Sequence, residues 1–347
     1  MSCFKPLKLY RVIDPASGML GQIRSYGGYI NDFDEFEKDN PLVQKWLVPC
    51  GQCDDCRRDQ AHEWSNRLVL ESLAQGEDRS WFVTLTYDDD HMPTDFICDR
   101  QNGSVGLKGV LRMSDVSAWL KRLRNKLNEP GIRFYAAGEY GDSTRRPHYH
   151  VILFASLPDA RPVRPVDGDR FVALPPGTMF SQIIEDTWKL GGTSVSPANL
   201  YTMSYVAGYV TKKLSGKFEQ DYQQLVKLLQ LEHPELHEQP RERALMSRRP
   251  GIGVPYLEQH MTECETGRVA VPVPHGAMQM KVPRLFESRM TDRSVNAFKL
   301  RRARLSQAKR DCRKVYTSRA LDYDLILKKR ARDNDPLKKA RARDVLS

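Results

Sequence analysis

Two apolar, β-rich stretches, residues 132–139 and 147–155, flank the turn-rich segment Gly141-Asp-Ser-Thr-Arg-Arg146. Runs of this length, bounded by turn residues, predict two strands joined by a hairpin. Residues 81–87 predict another strand, residues 193–196 a fourth, and residues 8–13 a shorter strand-like run. Helical spacing appears in residues 57–73, where Trp64, Leu68 and Leu73 fall near one stripe. It recurs in residues 116–127, where Trp119, Leu120, Leu123 and Leu127 do so and Ser114 or Asp115 is the expected cap. A short helix over residues 180–190 ends at Gly191-Gly192, and another begins at Asn199 or Thr202 and runs to Leu214. Residues 92–110 read as loop, 156–179 as a Pro- and Gly-rich insertion, and 218–246 as a charged helical stretch. The element order predicts an α+β fold, a central antiparallel sheet of four or five strands with helices packed on it. Three regions follow: a cysteine-rich segment (1–75), the main domain (76–290) and a basic, helix-prone tail (291–347).

Charge sharpens that division. The chain of 347 residues holds 54 Lys and Arg against 44 Asp and Glu, a net charge of +10. From residue 291 onward there are 18 Lys and Arg against 7 Asp, so the whole excess lies in the tail. Such asymmetry points to nucleic acid, against the plainer reading of a solvated helical tail. Arg145 and Arg146 in the hairpin turn, and Arg301, Arg302 and Arg304 in the tail, are the candidate phosphate contacts. No apolar run reaches the ~18 residues of a membrane span, and the amino terminus has no signal-peptide core. No G-x-x-x-x-G-K-[ST] loop occurs, so neither an ATPase nor a helicase domain is expected.

The chemistry concentrates in three places. His148 and His150 open the second hairpin strand with Tyr149 between them, and alternate strand residues share a face, ~6.6–6.8 Å apart. A turn centred near residues 143 and 144 puts Glu139 directly opposite His148, hence on that same face. One carboxylate and two imidazoles, with positions left open, suit Mg2+ or Mn2+ held jointly with a phosphate. The plainer alternative is a pair of edge-strand histidines and a surface carboxylate. Downstream, Tyr205 and Tyr209 stand at i and i+4, with Lys212 and Lys213 following. Aromatics at that spacing are commonly core residues. Beside a metal they become candidate nucleophiles, with the lysines offsetting developing charge. Finally, Cys50-Gly-Gln-Cys53-Asp-Asp-Cys56 spaces three thiols as zinc ligands are spaced, with Cys3 and His62 as candidate fourth ligands. Three cysteines without metal are the alternative. Cys98, Cys264 and Cys312 read as ordinary residues, and the acidic turn Asp88-Asp-Asp-His91 as a solvated loop.

His148-Tyr-His150 together with Tyr205-x-x-x-Tyr209 resembles the His-hydrophobic-His (HUH) endonucleases that start rolling-circle replication. The match is closest to the replication initiators of the Microviridae, in their gokushovirus form. Phe82-Val-Thr-Leu-Thr-Tyr87 resembles the first strand motif, Gly138-Glu-Tyr-Gly141 through His150 the metal motif, and Tyr205 to Lys213 the paired-tyrosine motif. Pro49 to Arg57, with Trp64 and Arg67, resembles the gokushovirus amino-terminal block, and Ser247 to Gly253 a further segment of that group. The resemblance implies the HUH fold, Mg2+ or Mn2+ at Glu139, His148 and His150, and a 5′-phosphotyrosyl intermediate on Tyr209 or Tyr205. It also implies single-stranded origin DNA as substrate, host helicase and polymerase as partners, and the cytoplasm of a bacterial host as the location. Two rival readings stand beside it: a zinc-stabilised, non-enzymatic DNA-binding protein, and a metal-dependent nuclease that uses water.

Deleting residues 291–347 is expected to weaken DNA binding across sequences. In a binding titration over salt, the log–log slope falls by ~0.7 for each single-strand phosphate contact removed. An unchanged slope would make the tail a solvated or protein-binding element.

Overall fold

The computed structural model describes residues 3, 6–14, 19–27, 42–141, 144–162, 177–209, 217–273 and 276–290. The tail, with Arg301, Arg302 and Arg304, lies outside the described residues, as do Lys212, Lys213 and any extension of the tyrosine helix beyond Tyr209. Two compact units divide the chain, Met1–Gln259 and His260–Ser347.

In the first unit the order is β1 (Leu7–Val12), β2 (Arg24–Ser25), β3 (Val43–Val48), α1 (Asp54–Gln75), β4 (Ser80–Thr86), β5 (Thr94–Cys98) and β6 (Val105–Gly109). Then come α2 (Met113–Leu127), β7 (Arg133–Tyr140), β8 (Pro147–Phe154), β9 (Arg161–Pro162), β10 (Met179–Phe180), α3 (Gln182–Trp188) and β11 (Thr193–Pro197). The unit ends with α4 (Leu200–Tyr209), α5 (Lys217–Leu229), β12 (His237–Glu238), β13 (Ala244–Met246) and α6 (Val254–Gln259). The second unit holds α7 (Met261–Cys264) and the antiparallel pair β14 (Arg268–Val273) and β15 (Gly276–Lys281).

The central sheet is antiparallel, in the order β13-β7-β8-β4-β11-β10-β9. The four strands expected from sequence form its middle. Its seven strands exceed the four or five expected because β13, β10 and β9 are only two or three residues long and carry no alternation to read. The expected insertion contributes β9 and β10, which pair with each other at one edge.

Both faces of β7 and β8 are covered, which is why they read as nearly continuous apolar runs. One face, with Val83, Leu85, Ala136, Tyr149, Val151 and Leu153, builds the main core against Trp119, Leu120 and Leu123 of α2 and Ile184 and Trp188 of α3. Two expectations fail around it. Helix α2 begins at Met113, and Asp115, instead of capping it, accepts a hydrogen bond from the Tyr87 hydroxyl at 2.7 Å. Residues 92–110 are not loop but carry β5 and β6, which pair antiparallel. Their Cys98 packs with Tyr222 and Val226 of α5 and with Leu236, partners more than 120 residues away that no local pattern reveals. The charged stretch 218–246 likewise stays helical only to Leu229, after which β12 adds in parallel to β5 and β13 joins the main sheet.

The other sheet face packs against α1 and α4, with Trp64 of α1 meeting Tyr135 of β7 at 5.1 Å between ring centroids. A buried ion pair anchors α1 there. Arg133 Nε donates to Glu71, its Nη2 donates to the Gly251 carbonyl at 3.1 Å, and Gly253 N–H donates to Glu71 Oε2 at 2.6 Å. Glu71 is fully buried and Arg133 nearly so. Arg133→Met would strand that carboxylate, and the loss of one partner of such a pair costs about 3–5 kcal/mol. A urea-unfolding midpoint unchanged from the parent chain would refute the assignment.

Candidate active site

Glu139, His148 and His150 converge on the face that carries α4. The register pairs Glu139 with His148, Ala137 with His150 and, across β8, Thr84 with His150. His148 Nε2 lies 4.0 Å and His150 Nε2 3.8 Å from Glu139 Oε2. The ring orientations are fixed from behind. His148 Nδ1 is 3.2 Å from the Arg146 carbonyl, which only accepts, so the proton sits on Nδ1 and the Nε2 lone pair faces Glu139. His150 Nδ1 is 3.2 Å from Thr84 Oγ1. Outer-shell bonding of this kind orients imidazoles in metal sites.

The donor set fits a small divalent cation. One hard oxygen and two imidazole nitrogens lie within 4.8 Å of one another, close to the ~4.2 Å spanned by opposed ligands at ~2.1 Å each from Mg2+. Glu139 is 4 % exposed and His150 8 %, so few waters compete for these positions.

Helix α4 brings both tyrosines to this cluster. Asn199 caps it, its Oδ1 accepting from Thr202 N–H at 2.9 Å, and Ser204 meets Ser65 of α1 through their hydroxyls at 2.8 Å. Tyr209 stacks on the His150 ring at 5.4 Å and 16°, and Tyr205 meets the same ring edge-on at 5.3 Å. The two phenols differ in access, Tyr205 being 43 % exposed and Tyr209 6 %. Burial, then a hydrogen bond to the Glu139 carboxylate and the adjacent Tyr205 hydroxyl, push Tyr209 far above the ordinary tyrosine range. Ionising it therefore requires positive charge nearby.

Residues 80–214 match a family model of phage replication-associated proteins, the one described by the name ORF2. The replication-associated protein ORF2 of Spiroplasma virus 4 is 28% identical over 84% of this chain and 80% of its own length. The replication-associated protein VP4 of Bdellovibrio phage phiMH2K is 31% identical over 71% of this chain and 68% of its own. The chain belongs to the Microviridae-type replication initiators. A third relative, the replication-associated protein ORF4 of Chlamydia phage 1, is 29% identical over 58% of this chain and 47% of its own length. No solved structure matches the initiator.

Other sequence-derived candidates are placed as follows. Arg145 and Arg146 stand at the hairpin turn, Arg145 with φ +55°. Arg145 pairs with buried Asp99 at 3.4 Å, and Arg146 with Asp89 at 2.5 Å and the Tyr87 carbonyl at 3.0 Å. Cys50, Cys53 and Cys56 gather as a cluster, and Cys3, not His62, joins them. The N–H groups of Gln52 and Cys53 lower the Cys50 thiol to about 6, while burial raises Cys56 to about 12. His91 pairs with Asp88 at 2.8 Å as an exposed local contact, as the solvated-loop reading requires. Phe82, which stacks on His150 at 5.5 Å, and Thr84 belong to the site without having been legible as site residues. Their alternation along β4 was the available signal, but only pairing with β8 aims it at the histidines.

Because Tyr209 holds its proton without a metal, it contributes no tyrosinate at pH ~10, where ordinary tyrosines ionise. Metal-free parent chain and Tyr209→Phe are expected to show equal tyrosinate absorbance at that pH. A deficit of one equivalent in the variant would contradict the raised value.

Proposed function

We propose that this replication initiator is an HUH-fold nickase that cuts one strand of its phage origin and later rejoins it. What supports the reading is the convergence of two tyrosine rings and a Glu-His-His donor set on the single ring of His150. Glu139, His148 and His150 would hold Mg2+ or Mn2+, which when bound polarises the scissile phosphate and offsets charge on a phenolate. Tyr209 is the first-choice nucleophile, since its hydroxyl already touches Glu139. The phenol loses its proton, a bond forms from its oxygen to phosphorus, and the bond to the departing 3′-oxygen breaks. The products are a 5′-phosphotyrosyl link and a 3′-OH that a host polymerase can extend behind a host helicase.

Because the link conserves the energy of the broken bond, the reverse reaction rejoins DNA without ATP. Tyr205, the more exposed phenol, would serve the second cut, made while the first link stands. Lys212 and Lys213 would offset charge at the phosphate. Arg145, Arg146 and the tail residues Arg301, Arg302 and Arg304 would contact the DNA backbone, in the cytoplasm of the host. Among the described residues no helix is long and apolar enough to cross a membrane.

The test is adduct formation on a single-stranded origin oligonucleotide with Mg2+ or Mn2+, read by denaturing gel and peptide mass spectrometry. Tyr209→Phe keeps the ring and should eliminate most adduct, while Tyr205→Phe should spare first cleavage and impair circle closure. Glu139→Ala, His148→Ala or His150→Ala should each cost more than the ~10–100-fold typical of an outer-shell loss. Full adduct formation in both Phe variants, or undiminished activity in EDTA, would sink the mechanism. Cleavage without adduct would favour water as nucleophile, and binding without cleavage a non-enzymatic role.

A further inference from the structure

We propose that Cys3, Cys50, Cys53 and Cys56 hold one Zn2+ in a closed four-sulfur site that fastens the amino-terminal sheet to the head of α1. Four sulfurs at ~2.3 Å from a common centre, in tetrahedral array, stand about 3.8 Å apart. Cys3 Sγ lies 3.8 Å from Cys53 Sγ and Cys50 Sγ 4.0 Å from Cys56 Sγ, and all four sulfurs fall within 4.8 Å of one another. Soft thiolates select zinc over the hard cations that suit the Glu139 site, so the two centres do not compete for one metal. With four protein ligands no position is left for substrate, which makes the site structural.

The fold explains how ligands 47 residues apart meet. Strands β1 and β3 pair antiparallel with Leu7 opposite Val48, so the chain segments carrying Cys3 and Cys50 emerge at the same end of the pair. Gly51, at φ +74°, turns the backbone so that Gln52 N–H and Cys53 N–H both point at Cys50 Sγ, at 3.4 and 3.3 Å. Cys50 N–H donates in turn to Cys3 Sγ at 3.3 Å. Backbone donors of this kind stabilise thiolate charge and orient metal-bound sulfur. Cys53 is the N-cap residue of α1, where its side chain makes no capping hydrogen bond, and Cys56 lies in the first turn. The sulfurs thus face the cluster and not the helix end.

A second observation shows what the metal is needed for. Among the described residues of β1, β2 and β3, Val43 alone is buried. A three-stranded sheet that buries so little lacks the apolar core to hold itself in place, the circumstance in which small elements take a structural metal. The other end of the tether is α1, which meets the tyrosine helix through Ser65 and Ser204 and the central sheet through Glu71 and Arg133. The zinc would therefore hold the head of the helix on which α4 rests.

The test uses the full chain without DNA, so its outcome is independent of the nickase reading. Purified without chelator, the chain should carry roughly one zinc by elemental analysis and native mass spectrometry. Co2+ in its place should give the visible bands of a tetrahedral tetrathiolate. In chelator competition Cys3→Ser should bind zinc at least ~10-fold more weakly, a floor set by what even outer-shell losses cost. Cys264→Ala, which removes a thiol outside the cluster, should bind it as the parent does. If Cys3→Ser does not fold, a mercurial titration of the parent chain decides: zinc should leave in step with about four thiols. On stripping the metal, hydrogen exchange should rise in β1, β3 and the first turns of α1 while β7 and β8 stay protected. A zinc-free folded chain, iron in zinc's place, a mass two hydrogens short for a disulfide, or undiminished zinc affinity in Cys3→Ser would each overturn the proposal.

Discussion

The register between β7 and β8 is the constraint on which the site depends. Side chains alternate between faces along a strand, so a slip of one residue would turn His148 and His150 into the apolar core and expose Tyr149, Val151 and Leu153. The burial of those three residues against α2 and α3 therefore aims the imidazoles at α4. The same parity fixes Glu139 opposite His148, and pairing of β4 with β8 adds Thr84 and Phe82 to that face. Core packing on one side of the sheet and chemistry on the other are consequences of one registration.

That parity is a local property, and it made the heart of the site legible in the sequence. The turn between residues 139 and 148 is short enough to fix the hairpin, and two strands suffice to bring Glu139 and the histidines together. The i, i+4 spacing of Tyr205 and Tyr209 likewise fixed their shared helix face. What spacing could not supply was the partner of that face, because α4 meets the histidines only through the order of strands in the sheet and through Ser65 on α1. Cys3 as the fourth thiol stood as one of two choices for the same reason: proximity to Cys50 comes from strand pairing and not from sequence distance.

The misread regions fail by a common cause. β5 and β6 lie in a stretch with weak alternation, and what holds them is the packing of Cys98 under α5 and the Tyr222 hydroxyl donating to the Cys98 carbonyl at 2.8 Å. Residues 237–238 become a strand because β5 offers them an edge. These segments take their conformation from distant neighbours, whereas the central strands carry theirs in their own composition.

Tyr149, the middle residue of the His-x-His trio, is more than an apolar spacer. Its hydroxyl accepts from Arg112 N–H at 2.8 Å and lies 2.9 Å from the Tyr87 hydroxyl, which donates to Asp115. With the Arg112 amide and the Asp115 carboxylate at its ends, the chain has a single direction of donation. A change at any one of positions 87, 115 or 149 leaves a neighbour with a buried donor or acceptor unanswered. Over generations of sequence drift these three positions, scattered across the chain, are bound to change together or not at all, so a residue that seems free to be any hydrophobe is held by a grammar written elsewhere.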